Sequence, residues 1–229
     1  MGIAIFLEKL FDFLFPKHCD KCGVLGTYLC LVCLTKIPQA QFSVNSASAN
    51  RRLDGSDISA LFDYRDPSLR KILWKLKYRG IREIAETLGN LLYEKIIYEI
   101  SEETQFRNIR NIIVAPIPLS EKKLSERGFN QAALIAESMV KNDNNGLFSY
   151  RPDLLIKNRD TKSQMTIKNR ALRLANVSGS FSVVNKNKLK DVYVIVIDDI
   201  TTTGATLKEA IRVLRENGAK NVRGFAVAH

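Results

Sequence analysis

Short, almost wholly apolar segments alternate along the chain with longer segments in which apolar residues recur every three or four positions. The clearest apolar segment is Val192–Ile197, which is entirely β-branched or aromatic, as expected of a strand buried on both faces. Strands that alternate with helices predict an α/β fold with a mostly parallel sheet flanked by helices. The other predicted strands are Ile58–Tyr64, Asn111–Ile117, Leu154–Lys157 and Asn221–Val227, and the predicted helices are Pro67–Tyr78, Ile81–Ile100, Asn130–Val140 and Thr206–Glu216.

Residues 1–15 predict an amphipathic helix, with Glu8, Lys9 and Asp12 on one side and a wide apolar face opposite. Such a face docks on the protein's own core, on a membrane surface or on a partner, and we favour the core. The segment lacks a basic start and has charges inside its apolar stretch, which argues against a secretory signal. No run reaches the roughly 18–20 apolar residues of a membrane span. We therefore expect a cytoplasmic protein that is not integral to a membrane.

Two C-x2-C pairs lie within one short segment, Cys19 with Cys22 and Cys30 with Cys33. Each pair presents two thiolates to one ion, and together they complete the tetrahedral shell of a structural Zn²⁺ site. The alternative is a disulfide framework, which needs an oxidising compartment. Without an export signal we favour zinc, whose role is to fold a segment too small to fold alone.

The chain is predicted to contain two units. Residues 39–57 are rich in Ser, Asn and Ala and have no apolar period, which indicates a linker or an exposed loop. We assign residues 1–45 to the N-terminal helix and the four-cysteine zinc module, and residues 46–229 to the α/β domain. From the order of the elements we expect the module and residues 46–100 to cover the site of that domain or to recognise its second substrate.

The net charge of +11 favours polyanionic partners, whether nucleic acid, nucleotide phosphates or an anionic membrane face, and does not distinguish among them. Part of this excess lies in Arg65–Arg82, where Trp74 and Tyr78 are interleaved with Lys and Arg. Cations together with aromatic rings suit single-stranded nucleic acid, through phosphate neutralisation and base stacking. However, the apolar residues of Leu69–Leu76 have helical spacing, and we favour a core helix in which Trp74 is also buried.

The candidate chemistry lies directly after the strand Val192–Ile197, where Asp198 and Asp199 precede a loop of Thr and Gly residues that opens a helix. Ligands of parallel sheets bind beyond the carboxyl ends of the strands. The loop offers N–H groups, hydroxyls and the positive end of a helix dipole to a phosphate. Two carboxylates would repel a bare phosphate, so the ligand must also carry a diol and a metal ion. A phosphorylated ribose has this layout.

The segment Val194–Thr206 closely resembles the PRPP-binding signature of type I phosphoribosyltransferases, where PRPP is 5-phosphoribosyl-1-pyrophosphate. The resemblance implies a type I phosphoribosyltransferase fold for residues 46–229. It implies that Asp198 and Asp199 bind the ribose hydroxyls and help to hold Mg²⁺. The residues implied to cradle the 5-phosphate are Thr202, Thr203, Gly204, Ala205 and Thr206.

A narrower resemblance covers nearly the whole chain. The two cysteine pairs, Leu76–Gly80, Ala115–Ser120, Arg127–Gln131 and the signature follow one another in the order typical of the ComF/GntX family of competence-associated proteins. That family implies a PRPP-type domain fused to a zinc module and a role in natural transformation, the uptake of single-stranded DNA. It implies single-stranded DNA, a DNA-uptake helicase or other competence proteins as partners. It does not supply the phosphoribosyl acceptor.

The loop after an early strand binds pyrophosphate in type I enzymes, and the corresponding loop here follows the strand Asn111–Ile117. The alternative is a turn made rigid by proline and followed by a solvated basic run. The stretch Arg159–Gln164, with Arg170 and Asn176, resembles the loop that closes over the site in these enzymes, or is a solvated basic face. The residues implied at the pyrophosphate end are Pro116, Ile117, Pro118, Leu119 and Arg127, with Lys122 and Lys123 close in sequence.

Three functions follow as hypotheses. The first is transfer of the phosphoribosyl group from PRPP by displacement at C1, in which binding geometry and electrostatics provide most of the catalysis. The second is a binding protein that senses PRPP or a nucleotide, or that holds single-stranded DNA as an adaptor. The third is a scaffold whose zinc module docks on a partner. The two aspartates favour a ligand with a diol, because a pure phosphate or DNA binder gains nothing from them.

Overall fold

The computed structural model describes residues 16–40, 57–107, 109–158, 177–184 and 189–229. Three of the predicted features lie outside these residues. They are the N-terminal helix of residues 1–15, most of the predicted linker, and the predicted closing loop that begins at Arg159.

The described part alternates strands with helices, as the hydrophobic pattern predicts. The strands are β1 (Ile58–Phe62), β2 (Ile112–Pro116), β3 (Phe148–Tyr150), β4 (Leu155–Lys157), β5 (Phe181–Val183), β6 (Tyr193–Ile200) and β7 (Asn221–Ala228). The helices are α1 (Leu31–Leu34), α2 (Pro67–Arg79), α3 (Arg82–Arg107), α4 (Glu121–Arg127), α5 (Gln131–Lys141) and α6 (Ala205–Glu216).

Five strands form one sheet in the order β1-β7-β6-β2-β3, and every neighbouring pair is parallel. The short strands β4 and β5 form a separate antiparallel pair. The predicted fold class, a mostly parallel sheet flanked by helices, is confirmed. Among the described residues, no helix combines the length and the hydropathy that crossing a bilayer requires.

The sheet is buried on both faces. Along β6, Ile195 and Ile197 pack into one core with α2, α3 and α5, whereas Val194 and Val196 pack into a second core with α6. This alternation explains why β6 is apolar at every position from Tyr193 to Ile197. Since β2 and β6 are adjacent and Pro116 pairs with Ile197, the loops that follow these two strands emerge side by side at one edge of the sheet.

Helix α2 has a well-defined start and end. The Asp66 carboxylate accepts hydrogen bonds from the backbone N–H groups of Ser68 and Leu69, at 2.9 and 3.0 Å, and so caps the helix. Gly80 ends it in the left-handed conformation, with a φ of 61°. The four apolar residues predicted to face the core are buried, and they are Leu69, Ile72, Leu73 and Leu76.

The expectation that Trp74 belongs to the core is wrong. Trp74 is 50% exposed and Tyr78 is 56% exposed, because they lie on the opposite side of α2 from the buried leucines. Their rings are 5.3 Å apart. The apolar stripe of α2 is complete without Trp74, so the two rings form an outward-facing pair.

The segment that contains the four cysteines packs against α2 and continues along the outer side of β1. The buried carboxylate of Asp20 forms ion pairs with Lys71 at 3.1 Å and with Lys75 at 2.7 Å, both on α2. Farther along, Gln39 forms an antiparallel bridge with Phe62 of β1. The backbone of residues 38–40 therefore pairs with the outer side of an edge strand.

Candidate functional site

The acid pair lies at the end of β6. Asp198 and Asp199 are each only 8% exposed, although they are ionisable residues at the carboxyl end of a strand. The backbone N–H of Asp199 donates to Asp198 Oδ1 at 2.9 Å. Burial raises the pKa of Asp198 well above its ordinary value, and the neighbouring charge of Asp199 raises it further. Two buried carboxylates that repel each other are stabilised by a cation, so their chemistry fits a bound divalent ion.

The loop after the acid pair meets α6 at Gly204. Gly204 has a φ of 73° and serves as the N-cap of α6, a position where a side chain would be strained. The loop is anchored to the neighbouring strand, since the Thr201 N–H donates to the carbonyl of Ala228 at 2.8 Å. The Thr203 hydroxyl oxygen is buried and has no hydrogen-bond partner among the residues that the structure describes. An orphaned hydroxyl at the start of a helix fits a phosphate oxygen as its partner.

The loop that follows β2 lies beside the end of β6, where the acid pair is located. The Ile117 N–H donates to the carbonyl of Ile197 at 2.8 Å, which fixes this loop to the end of β6. The Asn130 side-chain amide donates to the carbonyl of Ile117 at 2.9 Å. The side-chain oxygen of Asn130 also accepts from the N–H groups of Ala132 and Ala133 and thereby caps α5. Asn130 thus both begins the next helix and positions the loop.

One cleft brings most of the predicted site residues together. It is lined by Ile117, Pro118, Leu119, Arg127, both aspartates, Thr202, Thr203, Ala205 and Thr206. Pro116 lies within β2, and Gly204 is buried next to Ile58; neither of them lines the cleft. The cleft is also lined by residues to which the sequence assigned no individual role in it. Lys157 lies in none of the motifs, whereas the others lie within them, and these are Lys77, Gln131, Ile200 and Thr201.

The cleft has cations around its acid pair. Lys77, Lys123, Arg127 and Lys157 line the same cleft as the two aspartates. The charge of Lys157 opposes the rise in the pKa of Asp198. This arrangement suits a ligand that is polyanionic overall but has a metal ion or a diol at the two acids.

Two sequence motifs far apart in the chain meet beside the cleft. A Cβ atom on Gly80 would lie 2.8 Å from the ring of Phe129, so the absence of a side chain lets that ring pack against the end of α2. The Arg127 guanidinium lies 5.8 Å from the centre of the Tyr78 ring. The end of α2 and the segment between α4 and α5 are thus packed as one wall of the cleft.

The four cysteines converge on one point. All four are free, and their sulfur atoms lie within 4.8 Å of one another. The sulfurs of Cys22 and Cys30 are 3.6 Å apart, far beyond a disulfide bond of about 2.05 Å. A tetrahedral zinc site with bonds of about 2.3 Å places its sulfurs roughly 3.8 Å apart, so the four thiols fit a metal ion.

The pKa values of the thiols in this cluster also favour a bound cation. Burial raises the pKa of the Cys19 thiol, but the N–H groups of Cys30, Lys21 and Cys22 outweigh it and lower the pKa to about 6. Burial and the surrounding sulfurs raise the pKa of Cys33 to about 12. A cluster that carries one thiolate readily but resists further charge is one that a cation stabilises.

We expected the four-cysteine module and residues 46–100 to cover the site. Among the described residues of these segments, only one on α2 lines the cleft. The cleft is lined by Lys77 of α2 but, within the described residues, by none from the segment 16–40. That segment instead holds α2 through the ion pairs of Asp20 and through Tyr28, whose ring lies 4.9 Å from the Lys75 ammonium. Its influence on the cleft is therefore indirect.

Comparison with known proteins adds the following findings. Residues 151–229 match the phosphoribosyl transferase domain family. The chain is 30% identical to the competence protein ComFC of Bacillus subtilis, over 73% of this chain and 62% of that protein, so it spans less than two thirds of that relative. It is 26% identical to the DNA utilization protein YhgH of Shigella flexneri, over 90% of this chain and 81% of that protein. A hypoxanthine phosphoribosyl transferase of Trypanosoma cruzi superposes with a TM-score of 0.38 at 8% identity, over 62% of this chain and 64% of that one.

Proposed function

We propose that this chain, which is similar to the competence protein ComFC and matches the phosphoribosyl transferase domain family over residues 151–229, binds PRPP with Mg²⁺ and transfers the phosphoribosyl group to an acceptor. The observation that carries this proposal is the juxtaposition of a buried acid pair with an orphaned threonine hydroxyl at a helix start. Few ligands need both a diol or metal site and a phosphate site within one cleft.

Each side of the cleft has a role in this function. The loop Thr202–Thr206 binds the 5-phosphate through backbone N–H groups, the Thr203 hydroxyl and the start of α6. Asp198 and Asp199 accept hydrogen bonds from the ribose hydroxyls and hold Mg²⁺. The loop Ile117–Leu119 and the nearby Arg127 bind the pyrophosphate.

The reaction breaks the bond between C1 and the pyrophosphate oxygen and forms a bond between C1 and the acceptor, which loses a proton to solvent. When bound, Mg²⁺ neutralises charge on the departing pyrophosphate. The chain's own residues orient the two ends of PRPP so that C1 lies between the two loops, and the acids stabilise positive charge that develops on the sugar. No side chain needs to form a covalent bond.

We further propose that the four cysteines bind Zn²⁺ as a structural ion, which the convergence of their sulfur atoms to within 4.8 Å of one another supports. A site of reduced thiols and a nucleotide-precursor substrate both suit the cytoplasm. The roles of the DNA-related relatives support DNA uptake as the setting of this activity.

Calorimetric titration with PRPP and MgCl₂ tests the binding site. We expect saturable binding to the unmodified chain, and about tenfold or more weaker binding to Thr203→Val, because valine has the same shape but cannot donate to the phosphate. Thr104→Val is the matched control, since the Thr104 hydroxyl donates to a carbonyl within α3. Equal affinity of Thr203→Val and the unmodified chain would remove Thr203 from the site. Release of pyrophosphate on adding candidate bases or amines then tests turnover.

A second candidate function is binding of single-stranded DNA beside the cleft. It is favoured by the exposed Trp74–Tyr78 pair, which has the Arg79 guanidinium 5.7 Å from the Trp74 ring and the Lys77 ammonium 5.4 Å from the Tyr78 ring. Exposed rings with cations over them suit the stacking of bases and the binding of phosphates.

Fluorescence anisotropy with a labelled oligothymidylate over a salt series tests this candidate. We expect affinity to fall steeply with salt and to fall about tenfold in Trp74→Ala, because stacking on one ring contributes about 1–3 kcal/mol. Tyr98→Ala is the control, since Tyr98 is an aromatic ring on α3 that is even more exposed, at 83%. Similar losses in both variants would mean that the Trp74–Tyr78 pair is not a specific stacking surface.

A further inference from the structure

Gln131 is a buried side chain that joins two different sides of the cleft. It is only 5% exposed, although it is polar and lines the cleft. Its amide nitrogen donates to Asp199 Oδ2 at 3.2 Å, and its amide oxygen accepts from the Arg127 guanidinium at 3.1 Å. It therefore lies between an acid at the end of β6 and a cation at the end of α4.

The partners of Gln131 determine which way its amide faces. Arginine can only donate, and an ionised carboxylate can only accept, so the amide oxygen must face Arg127 and the amide nitrogen must face Asp199. Glutamate at this position would present an acceptor to Asp199 and repel it. Methionine has nearly the same length but offers neither hydrogen bond. An amide is the side chain that satisfies both neighbours at once.

The backbone of Gln131 is held as firmly as its side chain. Gln131 is the first residue of α5, directly after Asn130, which caps that helix and also binds the carbonyl of Ile117. The two consecutive residues thus contact the loop after β2, the acid pair and Arg127. A side chain anchored in this way has few alternative conformations available.

We propose that Gln131 is a positioning residue that holds the Asp199 carboxylate and the Arg127 guanidinium in a fixed relation. Its importance for PRPP rests on the proposed function, in which Asp199 contacts the ribose end and Arg127 the pyrophosphate end. Gln131 itself does not react. It keeps the groups for the two ends of the substrate at a constant separation, so that both ends bind together.

The first experiment needs no substrate. In ¹⁵N-labelled protein, the side-chain NH₂ signals of Gln131 are identified by their absence from Gln131→Met. We expect them to shift in Asp199→Asn and in Arg127→Lys, because each change alters one partner of the amide. They should not move in Asp63→Asn, which changes an acid outside the cleft. Signals that stay in place in Asp199→Asn would overturn the proposed contact.

The second experiment measures Mg-PRPP affinity in a double-mutant cycle. We expect Gln131→Met to weaken binding about tenfold in the unmodified chain but less than twofold in Asp199→Asn, because Gln131 acts through Asp199. Gln131→Glu should weaken binding at least as much as Gln131→Met. The control is Gln105→Met, which changes an exposed glutamine on α3 and should leave both affinity and thermal stability unchanged.

The outcomes separate the inference from the function on which it rests. An equal loss in both backgrounds, or no loss in either, would show that Gln131 does not act through Asp199. If Gln131 had a purely structural role, Gln131→Met would lower the melting temperature, and its effect on affinity would not depend on whether Asp199 is present. If the unmodified chain does not bind Mg-PRPP, the proposed function fails, and the NMR experiment still decides whether Gln131 links Arg127 and Asp199.

Discussion

Replacing both Asp198 and Asp199 by asparagine is expected to weaken Mg-PRPP binding by more than about 100-fold. Each carboxylate supplies charge-assisted hydrogen bonds of roughly 1.5–3 kcal/mol, and their combined loss is of this size. The loss should be visible by calorimetry as the absence of saturable heat at ligand concentrations that saturate the unmodified chain.

The same substitution at Asp198 alone is expected to make the protein more stable. Asp198 is buried beside a like charge, which raises its pKa well above its ordinary value, so its ionised form costs folding energy at neutral pH. An uncharged amide of similar shape removes that cost. A gain of about 1 kcal/mol would raise the melting temperature by about 2–4 °C in a chain of this size.

Asp63→Asn is the matched control for both measurements. Asp63 is paired with Arg65, which lowers its pKa, and it does not line the cleft. Its replacement should leave PRPP affinity unchanged and should not raise the melting temperature. A doubly substituted protein that binds PRPP normally would contradict the assignment of the acid pair to ligand binding. An Asp198→Asn protein that is less stable than the unmodified chain would show that the buried Asp198 charge does not cost folding energy.

Removal of one sulfur from the cysteine cluster is expected to unfold the zinc module. We choose Cys22→Ser, because Cys22 is exposed and its replacement would change stability by no more than about 0.5 kcal/mol if it bound no metal. Binding of a structural zinc ion is itself folding energy, so its loss should lower the melting temperature by about 10 °C or more. The purified chain should contain one zinc ion, measured by mass spectrometry, and Cys22→Ser should contain far less.

Leu31→Ser tests whether the effect is specific to the thiols. Leu31 is 77% exposed and lies within the same segment, between the last two cysteines. This variant should keep its zinc and its melting temperature. A Cys22→Ser chain as stable as the unmodified protein would mean that the cluster holds no structural ion, however well its spacing fits one.

The sequence predicted the parts of the fold that depend on strong local patterns. Val192–Ile197 was identified as a buried strand because each of its positions is apolar, and α2 was identified by the helical spacing of its apolar residues. In contrast, β3 and β5 were missed, since each has three residues with a serine in the middle and so lacks the continuous apolar run, Leu154–Ile156, that predicted the equally short β4. Helix α4 was missed because it has no buried residue and is stabilised by its ends, Ser120 and Gly128.

The candidate site was predictable where one segment supplies several groups, and less so where distant segments meet. The acid pair and the threonine loop are consecutive in the chain, so their juxtaposition follows from a strand–loop–helix unit. The role of Gln131 was not visible, because its partners are four and 68 positions away. Lys77 belongs to a basic run and to the motif Leu76–Gly80, but neither assigned it to the cleft, and nothing in the run distinguishes it from Lys71 and Lys75, which pair with Asp20.

The pairing of residues 38–40 with β1 has a consequence for the behaviour of the protein at high concentration. An unpaired border of a parallel sheet is a template on which a second molecule can add a strand, and natural proteins shield such borders. Here the segment leading away from the cysteines covers that border with its own backbone, through the bridge between Gln39 and Phe62. A shortened chain that starts after this segment would expose β1 and should self-associate, even if the cleft between the two loops remained intact.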